Sequence, residues 1–328
     1  MSLIKWSTPE RRVGNTNLPI IPNEIHLIIL EHIAPSSGRL SVEQLKDLSS
    51  LSLVCRFFGN FCLPRIFEYT EFSGSVYGNH ISRTHAASRG RTLCQQIAAK
   101  QHLALSLAQC VKVCHITDWQ LGDEGSWAVQ MFSQRYVAGM AHMKNIRELM
   151  FFRSFVKQGH WDVITTLESL EKLGFDSCNF LDGPAHLGPD QRFKVKVPFL
   201  RVSGCSGHHQ LSAAIDARHL RTLMMDEVFG GSSWLYDTPP LTELQVFADE
   251  QPLLPMDTAR YLRVKRILRE TSWSLQVLRL PVYACSDFRE ILFEDPVWKN
   301  MPLLRSLTLE IVLYDPDPAV LMNVGFSV

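Results

Sequence analysis

The sequence predicts an α/β protein: a small N-terminal three-helix module followed by an irregular repeat solenoid, with parallel strands on a concave face and helices outside. Three observations predict it. Two apolar blocks at helical spacing lie between residues 18 and 68, a short apolar signature recurs through the rest of the chain, and segments of helical character separate its copies. At 328 residues, a small module plus an elongated body fits the usual length of chain per domain.

Bulk properties exclude several classes. The 33 Lys and Arg residues balance 33 Asp and Glu, and 46% of residues are hydrophobic. A folded, neutral chain has no overall basic field, so neither nucleic acid nor membrane is an expected partner. The stretch MSLIKWSTPERRVGNTN lacks the apolar core of a signal peptide, and no run reaches the roughly 18 apolar residues of a membrane helix. The expected location is cytoplasmic and/or nuclear. Eight cysteines without a regular framework read as unpaired thiols. Residues 1–17 are expected to form a flexible leader.

Residues 18–68 form the module. Pro22 stands where a first helical position tolerates a missing N–H, and Glu24 follows at the positive end of the helix dipole. Ile25, Ile28, Ile29 and Ile33 share one side of that helix and are expected against a core, with Leu27 and Leu30 on the opposite, spare side. In the second block Leu48, Leu51, Val54, Cys55 and Phe58 make a stripe, while Leu53, Phe57, Phe61 and Leu63 lie off it. So small a module cannot bury all of this alone, which leaves an apolar surface for a larger body or a partner. Residues 73–91, rich in Gly, Ser, His and Arg, read as a connector, and Arg83, Arg89, Arg91, His80 and His85 as its solvated face rather than a phosphate site.

From residue 69 to 328 the signature is apolar, two residues, apolar, one residue, apolar. It appears at Ile146, Leu149, Phe151; Leu170, Leu173, Phe175; Val197, Leu200, Val202; Leu220, Leu223, Met225; Leu241, Leu244, Val246; Leu275, Leu278, Leu280; and Leu304, Leu307, Leu309, with a weaker copy at Val111, Cys114, Ile116. The mean step is about 26 residues, a leucine-rich repeat spacing. Cys178 and Cys205 fall at the ninth position of two copies, where such repeats hold Asn or Cys inside the turn. Helical character between copies is expected over Trp161 to Leu167, Gln210 to Ala217, Asp257 to Thr271 and Asp287 to Phe293. Strand alternation then places the residues beside the core positions on the concave face. Met150, Phe152, Asp176, Arg201, Met224, Asp226, Gln245, Phe247, Arg279 and Glu310 are the candidates there for contact with a target protein, because Arg, Met and aromatic side chains favour protein interfaces. No polar cap is obvious between the last copy and Val328, so that end is expected to be covered by a partner or to continue.

Catalytic motifs are absent from the sequence: no phosphate loop with Lys-Ser or Lys-Thr, no GxGxxG, no GxSxG and no HExxH. Cys205, followed by His208 and His209 in a Gly-rich turn, is the strongest lure for a thiol nucleophile or metal ligand, yet the repeat turn already explains the cysteine and no second ligand cluster has zinc spacing. Cys110, Cys114 and His115 read as packed groups for similar reasons. No catalytic residue, cofactor or metal is expected.

The pattern Leu18-Pro19, Pro22, Glu24-Ile25, Ile29-Leu30, Leu48, Leu51-Ser52-Leu53-Val54-Cys55-Arg56, Phe58 and Pro64-Arg65-Ile66-Phe67 resembles an F-box. Two departures are a longer connection over Ala34 to Leu45 and Phe57-Phe58 where a Trp-containing pair is common in the family. The resemblance is to F-box substrate receptors with a leucine-rich repeat body. It implies a non-catalytic subunit of a cullin-RING ubiquitin ligase, bound to a Skp-type adaptor through Leu18, Pro19, Pro22, Leu27, Leu30, Leu53, Val54, Cys55, Phe57 and Phe58, and to a target through its repeats. Two other classes stay open. One is a repeat scaffold outside any ligase, with the helices as an N-terminal cap; the other is an enzyme with an unfamiliar site.

Overall fold

The computed structural model describes residues 23–33, 40–73, 90, 92–119, 127–181, 194–207, 210–211, 214–226, 240–247, 258–283, 301–312 and 321–327. The chain divides into two compact units. One comprises Met1–Thr117, Asp123–Arg147 and Thr166–Ser169, the other Asp118–Gly122, Glu148–Thr165 and Leu170–Val328.

The first unit begins with α1 (Asn23–Ile33), α2 (Val42–Ser52) and α3 (Arg56–Glu68). Ser41 caps α2 in a reciprocal box: its hydroxyl accepts from the Gln44 N–H at 3.2 Å, and the Gln44 carboxamide accepts from the Ser41 N–H at 2.8 Å. Helix α2 ends at Ser52 and α3 starts after Cys55, so the second apolar block is two helices joined by a turn at Leu53 and Val54. Leu30, Leu48, Cys62 and Ile66 form the shared core, with Ile33, Leu40, Leu45, Leu51, Phe57, Phe58, Phe61 and Phe67 packed around it.

Helix α3 runs straight into β1 (Tyr69–Ser73), which pairs in parallel with β2 (Val113–Thr117). Between them in sequence lie helical residues 92–98 and α4 (His102–Ala108); α5 (Trp127–Met140) follows β2. Gly139 lets α5 approach Cys94 closely, since a Cβ at that position would meet the Cys94 Sγ at 2.4 Å. The strands β1 and β2 share a polar face: the Tyr69 hydroxyl lies 2.9 Å from His115 Nδ1. Most of the expected connector, 74–89 and 91, lies outside the described residues.

The second unit is built on a parallel sheet in which spatial order follows chain order. It runs β3 (Glu148–Phe152), β5 (Lys172–Asp176), β7 (Phe199–Ser203), β8 (Thr222–Asp226), β9 (Glu243–Phe247), β10 (Val277–Tyr283) and β11 (Ser306–Val312), and β12 (Leu321–Ser327) closes it antiparallel to β11. Two-residue strands β4 (Phe155–Val156) and β6 (Asn179–Phe180) pair beside it; α6 (Gln158–Ile164) and α7 (Thr258–Thr271) precede β5 and β10. Strands β3, β5, β7, β8, β9, β10 and β11 each lie where the apolar signature places them; the short β4 and β6 have no copy of it. Strand β12 has no such signature and was not expected. Within the helix expected over Gln210 to Ala217, the described residues 210, 211 and 214 are helical and the Ile215 N–H bonds the Leu211 carbonyl, followed by a 3-10 turn at Ala217–His219; the helix expected over Asp287 to Phe293 lies outside the described residues.

In-register pairing stacks the core. Leu149, Leu173, Leu200, Leu223, Leu244, Leu278 and Leu307 align across the sheet and are all buried. In the next file Phe151 and Phe175 stack at 5.2 Å, with Trp161 of α6 and Phe180 against Phe175. His160 is buried in this cluster, edge-on to Phe151 at 5.6 Å, and its Nδ1 accepts the Lys157 N–H at 3.1 Å.

Burial holds the His160 imidazole neutral and pushes its pKa down to about 4. Between the ordinary value near 6.5 and 4 the unfolded chain binds the proton and the folded chain does not, so this contribution to stability is complete above pH 6.5 and declines as pH falls toward 4. Urea unfolding of the wild type should therefore lose roughly 2–3 kcal/mol more between pH 7 and pH 4.5 than a His160→Gln variant does.

Candidate functional site

Helix α1 is apolar on two sides, and packing selects between them. His26, Leu30 and Ile33 fall at i, i+4 and i+7. The His26 ring lies 5.6 Å from Phe57 and 5.9 Å from Phe58, Leu30 is 2% exposed, and Ile33 joins the core. Ile25, Ile28 and Ile29 are left 45%, 54% and 48% exposed. The expected assignment of faces thus holds for Ile33 and is overturned for Leu30, Ile25, Ile28 and Ile29. Leu30, a candidate contact, is core, because α1 is drawn onto α2 and α3 by the His26 side; the three isoleucines point to solvent.

Of the other candidates, Leu53 and Val54 occupy the α2–α3 turn and are 87% and 66% exposed, and Cys55 beside them is exposed and caps α3 without a side-chain hydrogen bond. Phe57 and Phe58 are half-buried against the core and meet edge-on at 5.4 Å, so each is partly structural. Leu18, Pro19 and Pro22 lie outside the described residues, as does the side chain of Leu27 in α1. The surface thus defined is apolar and uncharged at the turn, a chemistry suited to a protein partner.

The second unit's sheet presents a face in three rows. The middle row, in register, is Met150, Gly174, Arg201, Met224, Gln245, Arg279, Thr308. Phe152, Asp176, Phe247 and Glu310 belong to the outer row and are half-buried, as is Met224; Arg279 is exposed. Arg201 joins the rows: its Nη2 lies 3.4 Å from the Asp176 carboxylate and its guanidinium carbon 5.4 Å from the centre of the Phe247 ring.

Three candidates are corrected by burial. Met150 is buried because Gly174 offers no side chain beside it, and its sulfur and methyl fill that space, each 2.3 Å from where a Cβ would stand. Gln245 is buried in register between Met224 and Arg279. Asp226 is buried with its carboxylate turned to the Gly204 N–H at 2.6 Å. Its role is local: Arg153 and Ser177 send the corresponding N–H to strand-end carbonyls of the next coil, Asp176 and Ser203, and at Gly204 a side chain takes the carbonyl's place.

The turns after β2, β3, β5 and β7 share a conformation. Asp118, Arg153, Ser177 and Gly204 adopt left-handed φ values of 58°, 44°, 54° and 59°, and the next residue turns inward. Cys178 Sγ donates to the Phe151 and Asp176 carbonyls at 3.4 and 3.3 Å, and Cys205 Sγ to the Ser203 carbonyl at 3.2 Å. Ser154 holds the same position after β3, its hydroxyl donating to the Phe152 carbonyl at 2.7 Å and accepting the Trp119 N–H at 3.3 Å. Sequence reading missed it, although the count of nine from Ile146 finds it. Contact with Cys178 and burial push the Cys205 thiol well above its usual range, which disfavours the thiolate a nucleophile needs. His208 and His209 lie outside the described residues. Burial also raises Cys110 to about 11 and moves Cys114 upward. Among the described residues no His, Cys, Asp and Glu side chains group as a metal site, and no helix is long and apolar enough to cross a membrane.

Compared with known proteins, the chain matches no protein-family model and no curated sequence.

Removing the Asp226 carboxylate strands a backbone donor. Asp226→Ala should cost about 1–3 kcal/mol in urea unfolding, and Asp226→Asn, whose carboxamide oxygen still accepts, distinctly less.

Proposed function

We propose that the chain is an F-box protein with a leucine-rich repeat body, the subunit of a cullin-RING ubiquitin ligase that holds the target. The observation that carries this reading is the apolar surface left on a fully packed helical module: Ile25, Ile28 and Ile29 on α1 and Leu53 and Val54 in the following turn are exposed while Leu30, Leu48, Cys62 and Ile66 close the core. Leaving that much aliphatic surface in water is unfavourable by about 25 cal/mol per Å2, and a Skp-type adaptor would cover it. Leu18, Pro19, Pro22 and Cys55 complete the proposed contact.

The repeat reading is supported by in-register parallel strands in chain order and by Ser154, Cys178 and Cys205 turned into successive turns. In such a receptor the sheet face binds the target and other subunits perform ubiquitin transfer. The chain acts by proximity, raising the target's effective concentration beside the conjugating enzyme.

One observation favours the scaffold reading. Helix α3 passes into β1 without a break, and Lys112, next to β2, bonds Glu68 both through its N–H to the carbonyl and through its ammonium to the carboxylate, each at 2.9 Å. A module so joined to the strands beside it would serve as their cap whether or not an adaptor binds.

Capture on a purified Skp-type adaptor separates the readings. Wild-type protein should bind at micromolar adaptor, and Leu53→Asp/Val54→Asp, at positions outside the core, should bind at least tenfold more weakly with an unchanged circular dichroism melt. Ile28→Asp should behave alike. No capture of the wild type at that concentration would leave the cap reading.

A further inference from the structure

We propose that the middle row of the second unit's sheet is a docking strip for an extended segment of the target that carries two acidic residues four positions apart, one carboxylate received by Arg201 and the other by Arg279. This rests on the reading that the sheet face holds the target.

Register supplies the geometry. Arg201 aligns with Met224, Met224 with Gln245 and Gln245 with Arg279, so the two cations stand in one row with no acid between them. Three strand spacings separate β7 from β10, about 14 Å, which an extended peptide covers in about four residues. Gln245 is buried and Met224 half-buried, so little polar surface stands between the arginines. The rows on either side hold the acids Glu148, Glu243, Asp176, Asp226 and Glu310, and the one Lys there, Lys172, is paired with Glu148. The cationic strip is therefore one residue wide. It suits a narrow chain with isolated carboxylates better than a broad acidic surface, which would meet those flanking acids.

Arg201 is held ready rather than satisfied. Among the described residues its ion pair is a single Nη2 contact to Asp176 at 3.4 Å, well beyond the 2.7–2.9 Å of a strong guanidinium–carboxylate bond. Its Nε is buried and makes no hydrogen bond among the described residues, while 38% of the side chain still meets solvent. The Phe247 ring at 5.4 Å holds the guanidinium plane in position. Arginine suits this duty because its planar fork keeps donors for a second carboxylate while one edge leans on Asp176 and a face on an aromatic ring. Arg279, exposed in the same row, gives the second charge that sets the spacing.

Fluorescence anisotropy of the full chain tests this with a labelled nine-residue peptide of Ala, Val and Ser bearing Glu at its third and seventh positions. The expected result is binding at least tenfold tighter than to the Gln/Gln peptide and to one with Glu at the third and fifth positions, weakening as salt rises. Arg201→Ala and Arg279→Ala should each weaken it several-fold, with Arg201→Lys only partly rescuing. Equal binding of the Gln peptide, no acid-dependent binding up to millimolar peptide, insensitivity to both arginine variants, or binding of a phosphoserine version alone would overturn the proposal. Adaptor capture by the same variants keeps the two readings apart: an adaptor-binding chain without acid-dependent peptide binding removes this inference and leaves the receptor, and the converse result removes the receptor and leaves the strip.

Discussion

From β3 to β11 each strand hydrogen-bonds the next in parallel with no offset, and this pairing sets the environment of nearly every residue around it. With a side-chain period of two, equal phase in all strands sends Leu149, Leu173, Leu200, Leu223, Leu244, Leu278 and Leu307 into one file of the core. The same phase lines up the outward residues, so a row of charges can exist at all. It also brings each strand end level with the next, which is why the left-handed residues Arg153 and Ser177 find carbonyls of the following coil and why Asp226 can replace one at Gly204. Non-glycine residues bear that conformation at some conformational expense, which the repeated hydrogen bond offsets.

The helical module obeys a different rule. A helix with apolar residues on two sides has no preferred inside until a neighbour chooses, and here the choice is made by aromatic contact between His26 and the pair Phe57 and Phe58. That contact turns Leu30 inward and leaves the isoleucines outside. The turn at Leu53 and Val54 adds further aliphatic surface, with no charge of its own to make it comfortable in water.

The strands were legible because their signature states both period and phase: two core positions with one residue between determine which side each neighbour faces. Cys178 and Cys205 were legible for the same reason, and Ser154 was missed only because a hydroxyl was not considered for a place that Asn or Cys usually fills. The capping box at Ser41 and Gln44 was also present in the sequence, ahead of where the second helix was expected to begin. Other features were not legible. Periodicity divides α1 into faces without saying which is inside, and strand alternation places Met150, Gln245 and Asp226 outward without revealing a neighbouring glycine or a backbone donor to cover or bind them. Strand β12, which enters antiparallel to β11, carries no copy of the signature.

The steps between successive strands vary while the pairing never shifts, so the added residues are absorbed away from the sheet. In the main sheet β5, β7, β8, β9 and β10 each hydrogen-bond two neighbouring strands. A gene encoding such a chain can lengthen by duplicating one unit, or enlarge a single loop, without redesigning the rest. The outward residues of a new strand then arrive already in line with the old ones, and each row of the sheet grows in whole steps of one strand.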